Sequence, residues 1–257
     1  MRQKKIKNIE GKIARFSGPL VDEPCSFRTR WREVFRADGP LYLEIGCGKG
    51  RFIKASALKD PGSLYLGFEG QRSVMYRALQ RAYVGPDVAP RDLNTVAMAS
   101  VGHGDGPGDR PGDLMDNCGD SVSRDAGLPG NLLFCAAYIL DMRDYFEEGE
   151  LDGIFLNFSD PWPKLRQSKR RLTSPDYLRG YLHTLADGGF IRFKTDNADF
   201  FVYSRECISS EPGLEITAMT DDLRASEYAE GSEMTEYEMK FVKLGKKIHY
   251  LEARKSP

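Results

Sequence analysis

The chain of 257 residues is 40% apolar and 29% charged, an ordinary globular composition with enough length to bury a core. Five cysteines without a C-x-x-C pair and three scattered histidines speak against a disulfide framework and a metal site, and no apolar run approaches the ~20 residues of a membrane span. The net charge of −1 hides an uneven distribution: residues 84–125 hold eight aspartates and three arginines, −5, which leaves +4 elsewhere and keeps a nucleic-acid partner open.

In chain order, residues 1–35 open with Arg2, Lys4, Lys5 and Lys7 and lack the apolar stretch of a secretory signal. They read as a basic N-terminal arm ahead of a domain over 36–257, in a protein expected to be cytoplasmic and without a membrane partner. Residues 41–45 read as a strand running into glycines, 51–58 as a helix, and 64–68 as a second strand ending at Glu69. A helix over 71–82 places Val74, Ala78 and Leu79 on one face. The pattern then breaks. Six of the twenty residues 101–120 are Gly, five are Asp and two are Pro, so the ordering entropy is high and little apolar surface offsets it. A disordered insertion over about 84–123 is predicted. Strands follow at 132–137 and 154–157. Ser174 is an N-cap with Pro175 at the first helical position, starting a helix that should stop at Gly188-Gly189. A strand at 190–194, a helix at 199–210 and late strands at 214–220 and 247–253 complete the chain. This alternation implies an open, mostly parallel α/β sheet, in which ligands bind at the carboxyl ends of the strands.

Two such ends carry candidate chemistry. Glu44-Ile-Gly46-Cys-Gly48-Lys-Gly50 lies between a strand and a helix. The dinucleotide spacing G-x-G-x-x-G is missing, because position 51 is Arg, and no Ser or Thr completes a P-loop. The loop is similar to the E-x-G-x-G-x-G loop of S-adenosylmethionine methyltransferases, whose cationic donor suits a carboxylate such as Glu44. Glu69, at the end of the second strand, can accept two hydrogen bonds from ribose hydroxyls. The second end is Asn157-Phe-Ser-Asp160-Pro-Trp162-Pro-Lys164-Leu-Arg166-Gln-Ser-Lys169-Arg170-Arg171. Two prolines hold this turn out of helix, and five of the eight residues 164–171 are basic, which makes a surface for phosphates and bases.

The ordered set Glu44–Gly50, Asn157–Lys164 with Lys169–Arg171, Phe193-Lys-Thr-Asp196 and Met234-Thr-Glu-Tyr-Glu238 resembles the tRNA (guanine-N7)-methyltransferases, which modify the variable-loop guanosine at tRNA position 46. The resemblance runs over roughly 41–252, minus the insertion. It implies an α/β, Rossmann-like class I methyltransferase fold, mostly parallel with a late antiparallel strand, with S-adenosylmethionine as cofactor and tRNA as partner. It implies cofactor contacts at Glu44, Gly46, Gly48, Gly50, Glu69, Asn157 and Asp160, an active-site role for Asp160, and substrate contacts at Lys164, Asp196, Thr235, Glu236, Tyr237 and Glu238. The chain departs from the family at Tyr138-Ile139, where an acid followed by Ala is usual near the adenine, and at Gln167, where His is frequent.

Guanine N7 carries an in-plane lone pair and no proton, so its methylation needs orientation and charge stabilisation rather than a base. Asp160, Asp196 or Glu238 could accept from the guanine N–H groups and offset the cationic ring, and Trp162 or Tyr237 could stack on an exposed base. Lys164, Arg166, Lys169, Arg170 and Arg171 would hold phosphates. A base methyltransferase acting on an exocyclic amine and a non-catalytic RNA-binding protein are the competing readings. Monomer and homodimer both remain open.

Overall fold

The computed structural model describes residues 6–16, 18–83 and 128–256. The insertion expected at 84–123 lies outside these residues. Within them, seven strands form one sheet in the order β3-β2-β1-β4-β5-β7-β6: β1 Leu41–Ile45, β2 Leu64–Phe68, β3 Leu132–Cys135, β4 Leu151–Asn157, β5 Leu185–Thr195, β6 Leu214–Thr220 and β7 His249–Lys255. β1 to β5 pair in parallel, whereas β7 runs antiparallel to both β5 and β6. The late antiparallel strand is therefore inserted between β5 and β6.

Helices cover both faces, which is why β2 (Leu-Tyr-Leu-Gly-Phe) and most of β4 are apolar without alternation. One layer holds α3 (Arg51–Lys59) and α4 (Arg72–Tyr83), burying Ile53, Met75 and Leu79 against Phe134 and Phe155. The other holds α5 (Pro175–Thr184) and α6 (Ala198–Ser210), burying Leu178, Tyr181, Phe200 and Ile208. A last helix, α7 (Glu236–Lys243), lies just before β7 in the chain.

The expected arm over 1–35 is corrected from Ile9 onward. α1 (Ile9–Ala14) buries Ile13, and α2 (Trp31–Phe35) buries Trp31 and Phe35. Trp31 has no exposed surface, lies against Phe68 and Phe146, and donates its indole N–H to the Tyr145 carbonyl at 2.9 Å. Between the two helices, Leu20 bridges to Phe134 on β3. An edge strand presents unpaired backbone groups, and Phe134 satisfies its own by donating to the Pro19 carbonyl and accepting from Val21, both at 2.8 Å. A basic start to the chain thus leads into a segment that closes the sheet.

A second correction falls on the helix expected to reach Gly188-Gly189. α5 ends at Thr184, and Leu185 already pairs with Leu151 on β4. The register then slips before Gly153 pairs with Phe190, so residues 186–189 form an irregular entry into β5. Burial of the Leu185 side chain against the sheet outweighs the helix-stop signal of the two glycines.

Candidate active site

The strand order reverses between β1 and β4, and an open cleft of about 1550 Å³ lies there at the carboxyl ends of the strands. Its floor is built by the turn after β1. Gly46, Gly48 and Gly50 adopt φ of 75°, 59° and 75°, a left-handed backbone that side chains disfavour. Gly46 and Cys47 donate to the Phe68 carbonyl at 2.8 and 2.9 Å, which ties the turn to the tip of β2. A Cβ on Gly46 or Gly48 would meet no protein atom within 4 Å, so the backbone is bare toward the cleft, whereas one on Gly50 would press on the Phe134 ring at 3.1 Å.

Glu44 is 2% exposed and accepts from the Asn157 amide at 2.8 Å. Burial pushes its carboxyl up to about 8, against the Asn157 hydrogen bond and the charge of Lys194. Its second oxygen and the Asn157 amide oxygen are buried and have no hydrogen-bond partner among the described residues. Such orphaned acceptors fit a ligand that brings N–H donors and positive charge. Glu69 accepts from the backbone N–H groups of Gln71 at 2.8 Å and Gly48 at 3.2 Å, and burial raises its carboxyl above the ordinary value. The carboxylate is thereby aimed across the glycine turn. Tyr138, in place of the family's acid, stands on the cleft wall with its ring over Gly70, and Asp141 is held by the Arg143 guanidinium.

Asp160 is exposed on the strained turn after β4, and its charge helps raise the Glu69 carboxyl. Phe158 and Trp162 on either side take φ of 53° and 41°, in the left-handed region that costs a bulky residue of order 1 kcal/mol or more. Each is anchored. The Phe158 N–H donates to the Lys194 carbonyl at 2.9 Å, and its ring lies against Tyr237 and Phe241. The Pro161 and Trp162 carbonyls accept from Arg171 at 2.9 and 3.1 Å. Arg171, itself packed over the Tyr203 ring at 4.1 Å, is thus a clamp for the turn rather than a free phosphate ligand. Lys169 and Arg170 are exposed and line the cleft, with Arg170 over the Trp162 ring at 5.0 Å. Lys164 and Arg166 are exposed just outside it.

The late motif divides. Thr235 and Glu238 form the capping box of α7: the Thr235 hydroxyl accepts from Glu238 N–H at 2.9 Å, and the Glu238 carboxylate accepts from Thr235 N–H at 3.4 Å. Glu238 has no exposed surface and faces away from the cleft into Lys194 at 3.3 Å and Arg224 at 2.6 Å. The expectation that it touches substrate does not fit this burial. Its neighbours do line the cleft: Thr235, Glu236 and the 60%-exposed Tyr237, with Asp196 opposite, held by Lys246 at 2.8 Å. Lys194 was not singled out from sequence. It is 2% exposed, donates to Glu233 O at 2.9 Å, and burial brings its ammonium down to about 8 despite Glu238. The T-x-x-E spacing of a capping box was the available signal that Glu238 is structural.

A family profile described as "Putative methyltransferase" matches residues 38–87 and 116–251. Curated proteins named "tRNA (guanine-N(7)-)-methyltransferase" are similar over nearly the whole chain. The one from Lachnoclostridium phytofermentans is 35% identical over 97% of each chain, and the one from Listeria monocytogenes serotype 4b is 37% identical over 99% of this chain and 98% of its own. Among solved structures, an antibiotic-related methyltransferase has a TM-score of 0.55 at 15% identity, covering 92% of this chain and 96% of its own. The 16S rRNA methyltransferase KamB has a TM-score of 0.52 at 15% identity, covering 89% and 94%. These two carry the class I methyltransferase fold. On the sequence match over nearly its full length, the chain belongs to the tRNA (guanine-N7)-methyltransferase family.

Proposed function

We propose that this protein transfers a methyl group from S-adenosylmethionine to N7 of guanosine 46 in the variable loop of tRNA. The observation that carries the reading is one cleft at adjacent strand ends that brings together a bare glycine turn, the half-satisfied buried Glu44 and the exposed Asp160 on its strained turn.

When bound, the cofactor supplies an electrophilic methyl on a sulfonium. Gly46 and Gly48 leave room for it, Glu44 with Asn157 receives its donors and charge, and Glu69 takes the ribose hydroxyls. Asp160 accepts from the guanine N1–H and N2–H and offsets the positive charge that the purine gains. N7 needs no proton removed, so no base is required; the contribution is orientation and preorganised charge. Tyr237 gives a stacking surface, and Lys169 and Arg170 hold phosphates.

The reading is tested by incubating the purified chain with the donor and unmodified tRNA transcripts, then digesting to nucleosides. 7-Methylguanosine is expected from the wild-type transcript and none from one carrying adenosine at position 46. A methyl group on an exocyclic amine, or on another guanosine, overturns it.

A further inference from the structure

Besides the 164–171 run, a second group of cations lies at the glycine turn and on α4. Lys49 belongs to the turn and Arg51 opens α3; both line the cleft wall. Arg77 and Arg81 sit one turn apart on α4, exposed on its surface. These four side chains crowd one another. Burial and then the charges of Arg81 and Arg77 press the Lys49 ammonium below its ordinary value, and burial with Arg51 and Arg77 does the same to Arg81. Among the described residues one carboxylate answers them. Glu236, the first residue of α7, pairs with Lys49 at 3.2 Å through one oxygen and with Arg81 through the other. Other cations of this layer have their own acids, as Arg72 has Glu10 and Lys59 has Glu233.

Among the described residues this group of four cations has one carboxylate, paired with Lys49 and Arg81, and it is continuous with the cleft. We infer that Lys49, Arg51, Arg77 and Arg81 form a second phosphate-binding surface for the tRNA backbone, and that the Glu236 carboxylate stands in for a phosphodiester there in the free protein. The tRNA is then gripped by two groups of cations, this surface and Lys169 with Arg170. A phosphodiester that reaches Arg81 displaces Glu236, so α7, the glycine turn and the RNA share one set of charges. A polyanionic strand is the fitting partner because a row of cations gains by releasing condensed counterions from it. The inference rests on the tRNA reading above.

The test uses the full chain with Arg77→Gln and Arg81→Gln combined, neither of which lines the cofactor cleft. Binding of unmodified tRNA is measured by fluorescence anisotropy between 50 and 300 mM salt, as ordinary conditions of about this range bring out phosphate contacts. The double variant should bind about ten-fold more weakly, with the slope of log affinity against log salt lowered by about 1–2, while the calorimetric affinity for S-adenosylmethionine stays at the wild-type value. An unchanged slope and affinity overturn the surface. Glu236→Gln should act with the opposite sign and tighten tRNA binding a few-fold; weaker binding overturns its role as the stand-in. Should wild-type protein itself bind no tRNA, the functional reading fails instead, so the two failures are distinguishable.

Discussion

Glu44 on the cleft floor and Glu238 outside the cleft are 2% and 0% exposed, each near Lys194 from a different element, whereas Asp160 and Asp196 stand on the cleft rim. The buried acids are set by burial and by partners within the protein. The rim acids line the open cleft, Asp160 exposed and Asp196 partly exposed and paired with Lys246. Residues of one chemical type thus serve two ends. A buried acid is tied to the fold and changes stability when lost, with Glu44 keeping one oxygen for a ligand as well, while a rim acid can act on a ligand and be lost without unfolding the chain.

The largest expected effect belongs to the buried acids. Glu238→Ala leaves Lys194 and Arg224 without their shared carboxylate and removes half of the α7 capping box. A loss of about 3–5 kcal/mol is expected, because breaking a buried pair strands its partner's charge. Urea denaturation measures it. A variant with unchanged stability but lost tRNA binding would return Glu238 to the substrate side and break the division between buried and rim acids.

Asp160→Asn tests the rim. Its turn is held by Phe158 and Arg171 rather than by the carboxylate, so the melting temperature should stay put. Methylation under saturating substrates should fall by about 10²–10³-fold, the scale for one preorganised charge-stabilising group. Undiminished turnover would remove Asp160 from the chemistry.

Glu44 sharpens the comparison through pH. Its carboxyl is raised to about 8 by burial. The neutral acid therefore contributes stability that is complete below the ordinary carboxylate value and is lost as pH rises through about 8. Binding of a cationic donor runs the other way, since it favours the carboxylate. Affinity for S-adenosylmethionine should rise by up to about ten-fold per pH unit from 6 toward 8 and then level off. Glu44→Gln should flatten that slope in calorimetry; a slope that survives places the titrating group elsewhere.

The smallest effects separate neighbours within the basic run. Arg171→Ala loosens the turn and should cost about 1 kcal/mol or more of stability, for two charge-assisted hydrogen bonds in a half-exposed setting. Lys169→Ala with Arg170→Ala should leave stability unchanged and lower the salt dependence of tRNA binding. Equal effects from both would show that the run acts as one charged face.

Most of the cleft could be read from the chain because its parts are local. A glycine turn follows an apolar strand, and Asp160 sits between two prolines and the end of β4. The Trp31 segment was hidden because two short helices and an edge bridge carry no period to read. The end of α5 was misplaced because two glycines gave a clear local stop, while pairing with β4 took hold four residues sooner.

By itself, then, the sequence determined the strand–helix alternation, the sides of the cleft and the residue types that face it, since these follow from local apolar runs, backbone freedom and charge. Tertiary structure alone decided which charges stay in water. Glu236 and Glu238 are two residues apart, yet the helix turn between them sends one to Lys49 and Arg81 at the surface and the other into the interior with Lys194 and Arg224. Burial is a property of what packs over a side chain, and those neighbours come from distant parts of the chain.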